Sequence, residues 1–148
     1  MENQITHTWF FNHAPETVWD YLTKSELIAE WLMPNDFKLE IGHHFVFGAK
    51  PIRRFSFDGR IYCQVLDFKP QQMLRYSWRG GQGDKVSLDS IVTWTLKEEK
   101  GGTELTLLHT GFKGLKNYLP YLIMGKGWLK IAKRMLNKME LADGTVEF

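Results

Sequence analysis

The sequence has a single cysteine, Cys63, among its 148 residues, so no disulfide can form within the chain. It also lacks the cysteine and histidine spacings that are typical of zinc sites, and we expect no metal and no other cofactor. No stretch approaches the ~18 consecutive apolar residues that a transmembrane helix requires. The first residues of the sequence do not show the apolar core that is typical of a signal peptide. These absences favour a single cytoplasmic domain.

The sequence also lacks the motifs of several functional classes. Its formal net charge of +2 is too small to indicate a nucleic-acid partner. There is no nucleophile elbow, no phosphate-binding glycine loop and no metal-binding His-Glu helix. Gly80–Gly81–Gln82–Gly83 is rich in glycine, but no helical pattern follows it, so we predict a hairpin loop. The sequence therefore assigns no catalytic residue.

Aromatic residues are abundant, at 14% of the chain with 6 Trp and 10 Phe, and one long segment near the end is amphipathic. With roughly 100° of rotation per residue, apolar residues between 115 and 141 share one helical face. They are Tyr121, Met124, Trp128, Ile131, Ala132, Met135, Leu136 and Met139. Lysines fill the opposite side. The pattern predicts a long helix whose apolar face packs on a large apolar surface.

The preceding chain predicts that surface. Ile5–Phe11 alternates in the manner of a strand. Pro15 suits the start of one short helix and Ser25 the N-cap of a second. From residue 37 to 108, alternation and turn signals predict an antiparallel meander, which begins with a short strand at Leu39–Ile41. The result is an α+β fold in which a curved antiparallel sheet of about six to seven strands wraps the long C-terminal helix, with two short helices after the first strand.

Several short motifs occur along almost the whole chain in a recognisable order. They are Ala14–Pro15, Val18–Trp19, Leu27–Trp31, Ile41–Gly42 with Phe45, Tyr76–Ser77–Trp78, Gly102–Leu107, His109–Phe112 and Gly127–Trp128. This set resembles the helix-grip (START-like, or SRPBCC) superfamily. Within it, the chain resembles the family named after the C-terminal domain of the activator of Hsp90 ATPase. The resemblance implies a cavity between the sheet and the final helix.

The candidates for lining such a cavity are large aromatic and methionine side chains, with one histidine as a polar anchor. They are Trp31, Phe45, Phe47, Tyr76, Trp78, Trp94, His109, Tyr121, Met124, Trp128 and Met135. Each alone is typical of a packed core, but large rings and thioethers together suit an apolar ligand. His109 shares parity with Leu105 and Leu107, so it is expected to face inward. It is either a hydrogen-bonded core residue or a polar anchor in the pocket, and in an enzyme it would be an acid or base. Cys63 is expected to be buried and unreactive.

Three functions follow, of which the leading one is non-catalytic binding of a small hydrophobic or aromatic molecule. The second is a chaperone-partner module like the activator that names the family; no sequence feature supports a protein partner directly. The third is a cyclase- or hydrolase-like enzyme on polyketide-like substrates, as in some superfamily relatives. A dry pocket favours binding, whereas a filled interior beside an exposed apolar patch favours a partner module. Two titratable groups converging on open space favour catalysis.

Overall fold

The computed structural model describes residues 2–49, 58–82 and 85–143, and within these residues it contains six strands, three α-helices and one 3₁₀ turn. In chain order they are β1 (Glu2–Phe11), α1 (Pro15–Thr23), α2 (Ser25–Trp31), β2 (His44–Gly48), β3 (Arg60–Lys69), β4 (Met73–Gln82), β5 (Lys85–Glu99), β6 (Gly102–Lys113), the 3₁₀ turn (Leu115–Asn117) and α3 (Tyr118–Asp143). This order confirms the predicted α+β helix-grip layout. None of the described helices is long and apolar enough to cross a membrane.

The six strands form one antiparallel sheet in the order β1-β6-β5-β4-β3-β2. Strands β2 to β6 follow one another as a meander, and β1 closes the other edge by pairing with β6 over its full length. Ile5 in β1 lies opposite His109 in β6. The first and last strands therefore build the same part of the sheet, on which α3 rests.

The two short helices pack through a few buried side chains. In α1, Val18, Trp19 and Leu22 face the core, as the sequence predicts. The indole N–H of Trp31, at the end of α2, donates to the carbonyl oxygen of Tyr21 over 2.8 Å and ties α2 to α1. Ser25 is not the N-cap of α2, because its hydroxyl donates to the carbonyl oxygen of Asn35, which leaves Lys24 at the cap position.

The prediction of a short strand at Leu39–Ile41 is wrong, since this segment consists of a bend and a turn. Local backbone hydrogen bonds form turns here instead. The backbone N–H of Glu40 donates to the carbonyl oxygen of Lys38 over 2.9 Å, and that of His43 donates to the carbonyl oxygen of Glu40 over 3.1 Å. Backbone groups that bond within turns are not available to a sheet ladder.

The loop predicted at Gly80 and Gly81 is also wrong, because β4 continues through both residues and pairs with β5. The register shifts between the two glycines, as in a β-bulge. A Cβ atom at Gly81 would collide with the backbone oxygen of Lys85, so the close strand approach requires glycine. Gly83, the last glycine of the motif, lies outside the described residues.

Helix α3 buries the face that the sequence predicts. Trp128, Ala132, Met135 and Met139 are at most 1% exposed, and the other four predicted residues are half-buried against them. The His7 imidazole, on β1, reaches across and donates from Nε2 to the backbone oxygen of Gly125 over 2.9 Å. From about Gly125 onward, the helix is therefore held on the sheet.

We expect Trp128→Ala to lower the free energy of unfolding by about 3–5 kcal/mol, because a fully buried indole is replaced by a cavity. Urea denaturation measures this change. The matched control is Leu129→Ala at the next position, where the side chain is 47% exposed, and its cost should stay below about 1 kcal/mol. Equal costs for the two variants would contradict the placement of α3.

Candidate functional site

The predicted site residues lie together in the interior, between the sheet, α2 and α3. Nine of the eleven are at most 3% exposed, and Tyr121 and Met124 are half-buried beside them. The rings of Trp78 and Trp94 both contact Trp128, with centroid distances of 5.3 and 5.5 Å. Trp31 meets Trp94 edge-on at 6.0 Å. Most of this aromatic set is thus in mutual van der Waals contact.

A chain of hydrogen bonds crosses this aromatic core. The Trp128 indole N–H donates to Nδ1 of His109 over 3.0 Å, and Nε2 of His109 lies 2.8 Å from the Ser90 hydroxyl. Ser90 in turn donates to the carbonyl oxygen of Trp78 over 2.7 Å. An indole N–H can only donate, so Nδ1 must be the unprotonated nitrogen and Nε2 must carry the proton. Every donor in this chain then has an acceptor.

Electrostatics keep His109 neutral. Burial lowers its pKa to about 3, because the interior cannot solvate an imidazolium ion. The hydrogen bonds agree, since protonation of Nδ1 would abolish its acceptor role toward Trp128. Both ring nitrogens are engaged, which leaves neither for proton transfer to a ligand. His109 therefore acts as the polar connection between β6 and α3.

Two other ionisable groups in the core are also held neutral. The Tyr76 hydroxyl accepts from the Trp94 indole N–H over 3.0 Å, and burial raises the pKa of Tyr76. Burial likewise raises the pKa of the Cys63 thiol, with a smaller contribution in the same direction from Asp36. Cys63 is 3% exposed, as the sequence predicts. A thiol held protonated is a poor nucleophile.

A cavity of about 240 Å³, partly open to solvent, lies beside this core. The side of the cavity formed by the sheet comes from β3, β4 and β5. The other sides come from the chain just after α2, the residue that follows β2, and α3 as far as Ile131. The lining residues are Leu32, Met33, Ala49, Ile61, Trp78, Gly80, Gly81, Ser87, Leu88, Pro120, Ile123, Met124 and Ile131. Among these described residues, only Ser87 and Trp78 carry side-chain hydrogen-bonding atoms.

Two of the eleven predicted residues, Trp78 and Met124, line this cavity, and the other nine pack in the core around it. Sequence reasoning missed most of the lining, including Met33, Ile61 and Ile123. Ile61 has the inward parity of its strand, which was a usable signal. Ile123 lies on the predicted solvent side of α3, and only the tertiary structure shows that it reaches the cavity.

Within the described ranges, no three His, Cys, Asp or Glu side chains are grouped so that they could hold a metal ion. The titratable core side chains His109 and Tyr76 are engaged by Trp128, Ser90 and Trp94. The cavity can therefore offer a bound molecule an apolar wall and one or two hydrogen bonds.

Comparison with known proteins assigns the chain to a family. The family model described as activator of Hsp90 ATPase homolog 1-like protein matches residues 12–140. The chain belongs to this family. None of the curated proteins matches the chain with significance.

Solved structures of similar proteins support the assignment. Protein MLL2253 from Mesorhizobium loti is 31% identical, with a TM-score of 0.82 over 98% of this chain and 100% of the other. Protein BH1534 from Bacillus halodurans is 30% identical, with a TM-score of 0.72 over 91% of this chain and 95% of the other. DynU16, from the dynemicin biosynthetic locus, is 17% identical, with a TM-score of 0.75 over 93% of this chain and 47% of the other. The last likeness is one of fold alone.

The depressed pKa of His109 predicts a pH-dependent stability. The unfolded chain takes up a proton near the ordinary histidine pKa of about 6.5, whereas the folded protein does so only near 3. Between these values the free energy of unfolding should fall by about 1.4 kcal/mol for each unit of falling pH from this group alone. Above about pH 6.5 the group contributes no slope.

Urea unfolding across this range should therefore show a shallower slope for His109→Gln than for the parent, since glutamine does not titrate. Subtracting the two slopes removes the contribution of the carboxyl groups, which both proteins share. Nitrogen-15 chemical shifts of the parent should also show protonated Nε2 and unprotonated Nδ1. Equal slopes, or an imidazolium at neutral pH, would contradict the assigned hydrogen bonds.

Proposed function

We propose that this protein binds a small hydrophobic or aromatic molecule, without chemical conversion, in the cavity between the sheet and α3. The observation that carries this proposal is the apolar lining of a space of about 240 Å³ at the edge of a tightly packed core. Apolar side chains around a space of this size can make van der Waals contacts with a bound molecule and remove its apolar surface from water.

The size and the lining limit the ligand. Drug-sized sites usually measure about 300–1,000 Å³, so this cavity suits a compact aromatic molecule, or one end of a longer apolar chain. The Ser87 hydroxyl already donates to the carbonyl oxygen of Gly80 over 3.3 Å, and its lone pairs can still accept from a ligand. Trp78 also lines the cavity, but only 2% of it is exposed, so the aliphatic and methionine side chains supply most of the apolar contact. A largely apolar ligand with a single polar group fits best.

The same lining argues against the enzymatic alternative. Acid–base catalysis needs a titratable group within hydrogen-bond reach of the reacting atom. None of the described lining residues is Asp, Glu, His, Lys, Cys or Tyr. His109 and Tyr76 are bonded inside the core. A cyclase- or hydrolase-like mechanism would therefore have no evident proton donor or acceptor among these residues.

A docking role is the second candidate, because several large apolar residues at the start of α3 are exposed. For a chaperone-partner module of the kind that names the family, the contact would be a surface and the cavity would be incidental. Charge reversal at Lys130, which is exposed on α3, should then disrupt capture of the partner. Ligand binding in the cavity should be unaffected by the same change.

We predict that the neutral fluorescent probe N-phenyl-1-naphthylamine binds the protein and stabilises it. At a hundredfold excess over its dissociation constant, a ligand specific for the folded state adds about 2.7 kcal/mol to the free energy of unfolding. Ala49→Trp should abolish binding, because an indole at this lining position fills the mouth of the cavity. Probe fluorescence and thermal denaturation measure the two effects.

The matched control is Ala29→Trp, which adds the same indole at an exposed position on α2 away from the cavity. It should bind the probe as the parent does. Unchanged binding by Ala49→Trp would place the probe elsewhere. If neither this probe nor a broad set of lipids and aromatic metabolites stabilised the parent, the binding hypothesis would fail.

A further inference from the structure

The start of α3 exposes a cluster of large apolar residues that its packing does not explain. The cluster consists of Leu115, Tyr118, Leu119, Leu122 and Ile123, hereafter the α3 apolar patch. Leu115 is 94% exposed, and the other four are 42–51% exposed. Leu119, Leu122 and Ile123 lie on the side of the helix opposite Trp128.

Lysines flank this patch on both sides. Lys113 and Lys116 precede it, and Lys126, Lys130 and Lys133 follow it along the helix, all exposed. From residue 105 to 139 the sequence has seven lysines and arginines and no aspartate or glutamate. The remainder of the chain has twelve basic and 17 acidic residues, a formal net charge of −5. The modest overall charge of +2 thus conceals a strongly basic segment that contains the patch.

We propose that the α3 apolar patch docks on the surface of an anionic lipid membrane. A helix that lies in a membrane interface buries leucine and isoleucine side chains a few ångströms deep and keeps lysines at the level of the headgroups. Each lysine near an anionic surface adds about 1 kcal/mol of attraction. The lysine stems are long enough to lie along the apolar boundary while the ammonium groups reach the phosphates.

The composition of the patch favours lipid over another occupant. Cores of protein–protein interfaces are depleted in lysine and enriched in Tyr, Trp, Phe, Met and Arg. The exposed side between residues 115 and 130 instead consists of Leu, Ile and Lys, with Tyr118 as its single aromatic residue. A second copy of the chain would bring two basic segments together, and their repulsion opposes such a dimer. An anionic bilayer satisfies both the charge and the apolar side chains.

The patch also adjoins the cavity. Ile123 belongs to the exposed patch and to the cavity lining, and Pro120 and Met124 line the cavity from the same turns of α3. The open side of the cavity is therefore next to the surface that would meet the lipid. An apolar molecule could pass between the two without crossing open water, although docking itself does not depend on any ligand.

The test is co-sedimentation of the full chain with vesicles of phosphatidylglycerol and phosphatidylcholine in equal parts, compared with pure phosphatidylcholine. We expect binding to the anionic vesicles only, with an affinity that falls as salt is added. Leu119→Ser/Leu122→Ser should weaken binding at least about tenfold, since apolar insertion is lost. Lys116→Glu/Lys126→Glu should weaken it about thirtyfold or more.

Matched variants separate these effects from net charge and general hydrophobicity. Lys38→Glu/Lys69→Glu changes the net charge equally at exposed positions outside the basic segment, and it should bind vesicles as the parent does. Leu66→Ser removes an exposed leucine from β3 and should also leave binding unchanged. Circular dichroism checks that each variant is folded. Because the vesicles carry no added ligand, this result is independent of probe binding in the cavity.

Several outcomes would overturn the proposal. They are no sedimentation with anionic vesicles, equal loss of binding in the matched variants, and binding that survives both α3 double variants. A concentration-dependent dimer that Leu119→Ser/Leu122→Ser abolishes, without vesicle binding, would assign the patch to a second copy. Capture of an acidic protein without vesicle binding would assign it to a protein partner.

Discussion

The structure depends on one hydrogen bond made in a dry environment, from the indole N–H of Trp128 to Nδ1 of His109. A helix can slide on a purely apolar surface at little cost, because the hydrophobic effect has no direction. A buried donor left without its acceptor costs about 1–3 kcal/mol. The bond therefore fixes the position of α3 along and around its axis. Ser90 completes the arrangement, because its hydroxyl oxygen accepts a hydrogen bond from the Nε2–H group of His109.

The packing of α3 on the sheet divides the helix into two parts. From Trp128 onward the apolar face is covered, with Met135 and Met139 fully buried. Ahead of the contact between His7 and Gly125, the helix extends over the cavity, and part of its surface is apolar and exposed. The α3 apolar patch and most of the α3 residues that line the cavity belong to this first part, and Ile131 completes the lining from the second. The packed half supplies the stability that allows the other half to remain without a partner inside the domain.

Much of the fold was predictable because its signals are local and periodic. The inward face of α3, the strands β3 and β4, and the inward parity of His109 follow from helical and alternating patterns. The failures have equally physical causes. Backbone hydrogen bonds within turns, such as that from Glu40 to Lys38, replace a strand at Leu39–Ile41. A bulge, rather than a loop, accommodates Gly80 and Gly81.

The candidate site was less predictable than the fold. Residue type could not separate aromatic rings that fill the core from those that border the open space, because both sets are large and inward-facing. Which rings border the cavity depends on the distance between α3 and the strands β3 and β4 at each point. The exposed apolar surface formed by the leucines of α3 was not predicted for a related reason. A helical wheel assigns one apolar face and treats the opposite side as solvated.

The most direct test of ligand binding in the cavity is a methyl NMR titration of the protein with N-phenyl-1-naphthylamine. Met33 and Met124 line the cavity, whereas Met135 and Met139 are buried in the core away from it. The ring current of a bound probe acts only over a few ångströms, so the methyl resonances of Met33 and Met124 should shift strongly. Those of Met135 and Met139 should change little. Shifts confined to Met135 and Met139, or no shift at saturating probe, would contradict the account.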